Sequence, residues 1–202
     1  MNNILVIDDM LTNEEANLIE DVMLRHSKQI SDITFPWYNF ETFSANSPES
    51  IERHGFLGNN ILEKFAQCHM FIEDNQSTSL FSKMLEDTIL KNFNIDYLFR
   101  VKSNLTFQCQ EPNTISTPHY DNEEEHLAAV YYVNDSDGDT IIYNEIKTYQ
   151  NNKLSTRVRV SPKKGRMVLF NGIHLHTSEY PYTNDMRAII NFNFGPKTML
   201  KG

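Results

Sequence analysis

From Tyr97 onward the chain is written in short β-like runs broken by turn residues: Leu98–Gln108, His126–Val133, Thr140–Tyr143, Arg157–Val160, Met167–Phe170 and Arg187–Phe194. Six such runs following a helix-rich first half constrain the fold more than any other feature. They fit an antiparallel double-sheet barrel or jelly roll backed by helices: mainly β with flanking helices. Upstream, the apolar run Ile4–Ile7 precedes Thr12 and Glu15, which stand three apart as a capping box requires. A strand leading into a helix is expected, with Ala16, Ile19, Val22 and Met23 forming its apolar stripe. A second helix is expected over Ser79 to Phe93. The segment Ser31–Asn75 has no clean period and predicts only loops and short elements, where substrate-facing loops are expected. Asn134–Asp139 resembles a calcium loop, but aligning Gly138 with its sixth position leaves Val133 and Asn144 where carboxylates are needed, so a hairpin turn is expected.

Composition narrows the function classes. The net charge of −9, without a dense Lys/Arg block at either end, disfavours nucleic acid as the main partner. The two cysteines, Cys68 and Cys109, cannot make a disulfide framework, and no paired base motif makes either a nucleophile. The opening residues lack a signal-peptide pattern, and no apolar run approaches a membrane span. One soluble domain spanning residues 1–202 in a reducing cytoplasm, with no membrane association, is the expectation.

The residues suited to chemistry cluster in the second half. His119 and Asp121 stand two apart just after Pro118. In extended chain their side chains share a face and can share a metal. An isolated His-x-Asp pair is as well explained by a surface histidine beside a solvated aspartate, so the distal part matters more. There Pro162–Phe170 is followed by Asn-Gly-Ile-His-Leu-His, ending at His176, and then by Arg187 at the start of a strand. Two imidazoles and one carboxylate suit a facial triad, which leaves three metal positions open. His174 and His176 compete for the third place, since both project to one side of an extended segment. Along the last strand, Ala188, Ile190, Phe192 and Phe194 form a core face. Arg187, Ile189, Asn191 and Asn193 form the other, and buried polar groups at such regular intervals point to a polar cavity.

The order His119-x-Asp121, a second histidine 55 residues after Asp121 and an arginine 11 residues after that histidine resembles the 2-oxoglutarate/iron(II) oxygenase superfamily. Within it the chain is most similar to the prolyl 4-hydroxylase-like branch, including its small phage-encoded members. The likeness runs from the opening Leu-Val-Ile-Asp-Asp to the final Ile-Asn-Phe-Asn-Phe, with the diagnostic motifs after Arg100. It implies a double-stranded β-helix (jelly-roll, cupin-like) core over about 97–196 with helical support over about 1–96. In the family the third ligand falls six residues after the Phe of a Gly-x-x-x-x-Phe strand, here Gly165 to Phe170, which selects His176 over His174. Thr177 and Ser178 depart from the Gly that many members carry two residues after this histidine.

The resemblance further implies Fe(II) on His119, Asp121 and His176. It implies 2-oxoglutarate as co-substrate, with its far carboxylate held by Arg187 and Tyr132, O2 as oxidant and ascorbate as an accessory reductant. Tyr132 matches the second Tyr of a Tyr-Tyr-(Leu/Val)-Asn segment, and Tyr131 is expected to face the packing between layers. The implied reaction is hydroxylation of a C–H bond with release of succinate and CO2. A peptidyl proline in a peptide or protein is the first substrate expected, and a free amino acid or other small molecule the second. For a phage-encoded chain the location would be the host cytoplasm. The nucleic-acid dealkylating branch carries a second Arg six residues after the clamp Arg; here that position is Asn193, which argues against base repair. A non-catalytic metal-binding or sensing barrel would need no carboxylate clamp, and a zinc-dependent hydrolase would want a general-base Glu, so both are weaker alternatives. His26, His54 and His69 are expected at the surface or as satisfied core residues, and His126 in a structural role near the metal pair.

Overall fold

The computed structural model describes residues 4–24, 34–39, 66–146 and 153–201. Strand β1 (Leu5–Ile7) leads into helix α1 (Asn13–Leu24). The capping box forms as its spacing predicts: Glu15 N–H donates to Thr12 Oγ1 at 3.3 Å, and Thr12 N–H donates to Glu15 Oε2 at 3.0 Å. Two backbone donors at the helix start are thereby satisfied. Ala16, Ile19, Val22 and Met23 are all buried, as the stripe requires.

Strands β2 (Tyr38–Asn39), β3 (Gln67–Glu73) and β4 (Gln76–Ser77) follow, then a helix over Ser82–Thr88 and a 3-10 turn over Leu90–Asn92. The helix is shorter than the Ser79–Phe93 expected. Asn92 Nδ2 donates to the carbonyls of Thr88 (2.8 Å) and Ile89 (3.2 Å), closing the helix end. Phe93 then enters β5 (Phe93–Asn94), which pairs with β13 (Met199–Leu200). The strand β3 corrects the reading of Ser31–Asn75 as loops and short elements, within its described part. Its sides are both largely buried, so no polar alternation marks it in the sequence.

The remaining strands are β6 (Leu98–Phe107), β7 (Leu127–Tyr132), β8 (Thr140–Ile146), β9 (Thr156–Val160), β10 (Met167–Asn171), β11 (His174–Ser178) and β12 (Met186–Phe194). The large sheet has the order β1-β10-β7-β12-β6-β3-β2, and a smaller one the order β11-β8-β9, with every pairing antiparallel. This is the jelly-roll arrangement that the strand runs predict.

Asn134–Asp139 is not a hairpin turn, because β7 and β8 lie in different sheets and do not pair. The turn carries the chain from one sheet to the other. Gly138 takes φ +90° there, and a Cβ would fall 2.7 Å from Glu179 O.

The large sheet is buried on both faces. On one side Tyr131, Ala188, Ile190, Phe192 and Phe194 pack with Ile19, Met23, Leu85 and Ile89 of the helices. On the other, Ala128, Val130, Tyr132, Val168, Phe170 and Ile189 meet Ile142 and Val160 of the small sheet. Each Val, Leu, Ile, Met or Phe among them contributes on the order of 1.5–3 kcal/mol by leaving water. Tyr131 faces the helical layer as expected, and burial pushes its phenol up. No described helix is long and apolar enough to cross a membrane.

Candidate functional site

Chain segment 115–119 runs antiparallel to β11 through bridges Ile115↔Glu179 and His119↔His176, extending the small sheet by one edge. His119 and His176 are thereby placed side by side, ring centroids 4.7 Å apart. Asp121, two residues on, turns to the same point. Its Oδ1 lies 3.8 Å from His119 Nε2 and its Oδ2 3.6 Å from His176 Nε2. One ligand atom from each of the three residues falls within 4.8 Å of the others, a group able to hold a metal ion.

The protonation states suit a cation. His119 Nδ1–H donates to Thr117 O at 2.9 Å and His176 Nδ1–H to His174 O at 3.1 Å, so both Nε2 lone pairs point inward. Burial, with His176 alongside, pushes the His119 imidazole down to about 4 and keeps it neutral. Burial works to raise the Asp121 carboxyl, but His176, Arg100 and His119 together hold it well below the usual carboxylate range. A neutral imidazole and an ionised carboxylate are the forms a metal requires.

His174 lies apart from this group. A register shift in the β11–β8 ladder separates it from His176, and its Nε2 is 2.9 Å from Arg157 Nη1. His126 is buried, with Nδ1–H donating to Glu124 O at 2.8 Å, and its ring packs on Gly172 so closely that a Cβ there would be 2.0 Å from Nε2. His69 is a satisfied core residue between Pro36 O (2.9 Å) and Ser79 Oγ (2.7 Å). Both cysteines are buried and free, and burial raises the Cys68 thiol. His26 and His54 lie outside the described residues.

A cavity opens beside the three candidate ligands, floored by β6 and β12. Cross-strand pairing sets Arg100 opposite Asn193, Lys102 opposite Asn191, Asn104 opposite Ile189 and Thr106 opposite Arg187. Paired residues share a face, so both strands present polar groups to the same side. The β12 alternation predicts its half; the alternation of Arg100, Lys102, Asn104 and Thr106 along β6 carries the other.

Arg187 sits at the cavity wall, 2% exposed, with Nη2 donating to Thr140 Oγ1 at 2.8 Å. Its Nε–H is buried and has no hydrogen-bond partner, and it forms no ion pair among the described residues. Burial lowers its pKa, since charge there is costly. Tyr132 lies alongside, with the guanidinium 5.6 Å from its ring centroid. Its hydroxyl lies 2.7 Å from the same Thr140 Oγ1 and 3.2 Å from Val160 O, with one proton to share between them. Thr140, which the sequence did not single out, therefore bridges Arg187 and Tyr132 and lines the cavity.

Residues 105–195 match the model of the 2OG-Fe(II) oxygenase superfamily. No curated protein sequence matches the chain. Among solved structures, a 2OG-Fe(II) oxygenase family oxidoreductase from Burkholderia pseudomallei aligns with TM-score 0.60 at 8% identity, covering 96% of this chain and 85% of the other. A prolyl hydroxylase from Trichoplax adhaerens, in complex with a hypoxia inducible factor peptide, gives 0.56 at 16%, covering 98% and 86%. A non-heme alpha ketoglutarate dependent epimerase of nogalamycin biosynthesis gives 0.60 at 10%, covering 100% and 81%. At such identities these likenesses bear on the fold, a double-stranded β-helix. The match over 105–195 contains the His-Asp-His group, so this part of the chain is similar to the 2OG-Fe(II) oxygenase superfamily, whose members use iron(II), 2-oxoglutarate and dioxygen.

Proposed function

We propose that the chain is a hydroxylase that binds iron(II) on His119, Asp121 and His176 and 2-oxoglutarate against Arg187, and that residues 1–202 act as one unit. The observation that carries this reading is the Arg187 guanidinium, buried in the same cavity as the candidate ligands, with no carboxylate partner among the described residues and an orphaned Nε–H. Leaving a buried cation without a counter-ion is costly, so the site is built for a ligand that brings one. A dicarboxylate bound to a metal at one end and to Arg187 at the other fits. Neither a metal-sensing barrel nor a zinc hydrolase has use for that clamp.

When bound, iron(II) with 2-oxoglutarate supplies the activation of dioxygen that oxidises a substrate C–H bond, with 2-oxoglutarate leaving as succinate and CO2. The chain's own contribution is placement. Arg187 neutralises the far carboxylate through its planar fork, with the Thr140 hydroxyl lining the same wall. Tyr132 holds Thr140 and can reach the carboxylate through it. The apolar stretch Val130 and Ile189 limits water between the two ends.

A prolyl residue of a peptide is the substrate we favour. The Tyr-Tyr-Val-Asn segment at Tyr131–Asn134 and the motif spacing support it, as does the peptide held by the Trichoplax adhaerens prolyl hydroxylase. A small-molecule substrate is the second reading, favoured by the nogalamycin epimerase among the similar folds.

The test is anaerobic addition of iron(II) and 2-oxoglutarate to the protein. A visible charge-transfer band of the chelate, saturating at one equivalent of each, is expected. No band despite bound iron would leave a metal site without an oxygenase.

A further inference from the structure

Asp121 is wrapped by three donors that the triad does not need. Arg100 Nη2 donates to Oδ1 at 2.9 Å, while Asn191 Nδ2 and Asn193 Nδ2 both donate to Oδ2, each at 2.9 Å. A carboxylate has about four lone-pair sites, two on each oxygen. Both lone-pair sites of Oδ2, 3.6 Å from His176 Nε2, are therefore taken by the asparagines, whereas Oδ1, 3.8 Å from His119 Nε2, accepts one donor and keeps a site free. The Asp121 side chain is 4% exposed, and Asn193 is 1% and Asn191 6% exposed. Water cannot readily replace these donors. The two asparagines are held at alternate positions of the central strand β12, two and four residues beyond Ile189.

We propose that Asn191 and Asn193 are positioning residues that restrict Asp121 to one-oxygen ligation of the metal, through Oδ1, and so keep a third coordination position open. This rests on the reading of His119, Asp121 and His176 as ligands. A carboxylate free at both oxygens can bind a divalent cation in bidentate fashion. In a site where a two-oxygen co-substrate takes two of three open positions, a bidentate Asp121 would occupy the last, which the substrate oxidant needs. Hydrogen bonds to the non-ligating oxygen block that alternative at the ground state. Arg100 adds charge balance and orients Oδ1 without using its second lone pair.

The probe is Mn(II), whose bound water molecules are counted by field-dependent proton relaxation. Wild-type protein should hold Mn(II) with three waters, falling to one when 2-oxoglutarate is added. Asn191→Leu/Asn193→Leu, close in volume but without donors, should hold Mn(II) with two waters, falling to none with 2-oxoglutarate. Each single substitution, Asn191→Leu or Asn193→Leu, should also lower the count, because one freed lone pair is enough for a second bond. Two waters in the wild type, or three in every folded variant, would overturn the inference and leave the oxygenase reading standing. Failure of wild-type protein to bind Mn(II), or of 2-oxoglutarate to displace water from it, would remove the oxygenase reading itself, and this inference with it.

Discussion

His119 and His176 form a hydrogen-bonded antiparallel pair across the edge of the small sheet, each backbone N–H donating to the other's carbonyl at 2.9 Å. Residues 57 positions apart are thus held in register by main chain, which sets their imidazoles side by side. The ligand group is assembled before any metal arrives, which limits the ordering entropy that binding must overcome. Alanine at His119, Asp121 or His176 should weaken iron(II) binding by more than about 100-fold, beyond the loss typical of outer-shell changes. Circular dichroism should remain native. His174→Ala should only reduce succinate formation, whereas His176→Ala should eliminate it; the reverse ranking in a product assay would refute the assignment.

The clamp is separable from the metal. Arg187→Ala should raise the apparent KM for 2-oxoglutarate by about 100-fold or more, the equivalent of the ~3–5 kcal/mol that breaking a buried ion pair costs. Iron(II) affinity should stay near wild type. Arg187→Lys should recover part of the loss, because the charge returns without the fork. Thr140→Val should raise the same KM about tenfold, more than Tyr132→Phe, because Thr140 lines the cavity and Tyr132 acts behind it. Steady-state kinetics of 2-oxoglutarate turnover, with a reductant such as ascorbate present, distinguish these cases.

Gly172 is required by a neighbour and not by its backbone angle. A Cβ would fall 2.0 Å from His126 Nε2, inside any tolerable contact. Gly172→Ala should destabilise the protein by about 1–3 kcal/mol in urea unfolding, as overpacking does. His126→Ala should relieve much of that in the double variant and leave iron(II) binding unchanged. Loss of iron binding in His126→Ala would give this histidine a role at the metal that its packing does not suggest.

Acid should loosen the first strand's anchor. Asp8 accepts hydrogen bonds from Arg166 Nε (2.6 Å) and Nη2 (3.0 Å), and Arg166, then Lys163, brings its carboxyl down to about 2. A folded-state pKa below the unfolded one stabilises fully above about pH 4 and is lost as pH falls toward 2. Asp8→Asn should therefore differ from wild type in urea midpoint at pH 5, with the gap shrinking steadily as pH falls from 4 through 2. The exposure of the pair makes the difference small. A constant gap across that range would show that the ion pair is not its source.

Much of this chain is local information. Thr12 and Glu15 meet because a helix start brings residues three apart together, and Ala188, Ile190, Phe192 and Phe194 share a core face because a strand alternates. The same alternation puts His119 and Asp121 on one side, and the spacings to His176 and Arg187 carry the family resemblance. Each of these follows from residues a few positions apart or from a motif read in order, so the sequence alone determined the fold class and the candidate ligands.

Tertiary structure decided what depends on pairing between distant strands. Nothing in Asn134–Asp139 says that β7 and β8 lie in different sheets, because a tight turn joins paired and unpaired strands alike. Strand β3, buried on both faces, has no polar rhythm to betray it. The donors around Asp121 come from β6 and β12, and Thr140 meets both Arg187 and Tyr132 only because the two sheets stack. A hydrogen bond between residues 70 positions apart leaves no trace in local periodicity. Its physical cause is burial: a polar group sealed from water must find its partner wherever the packed chain places one.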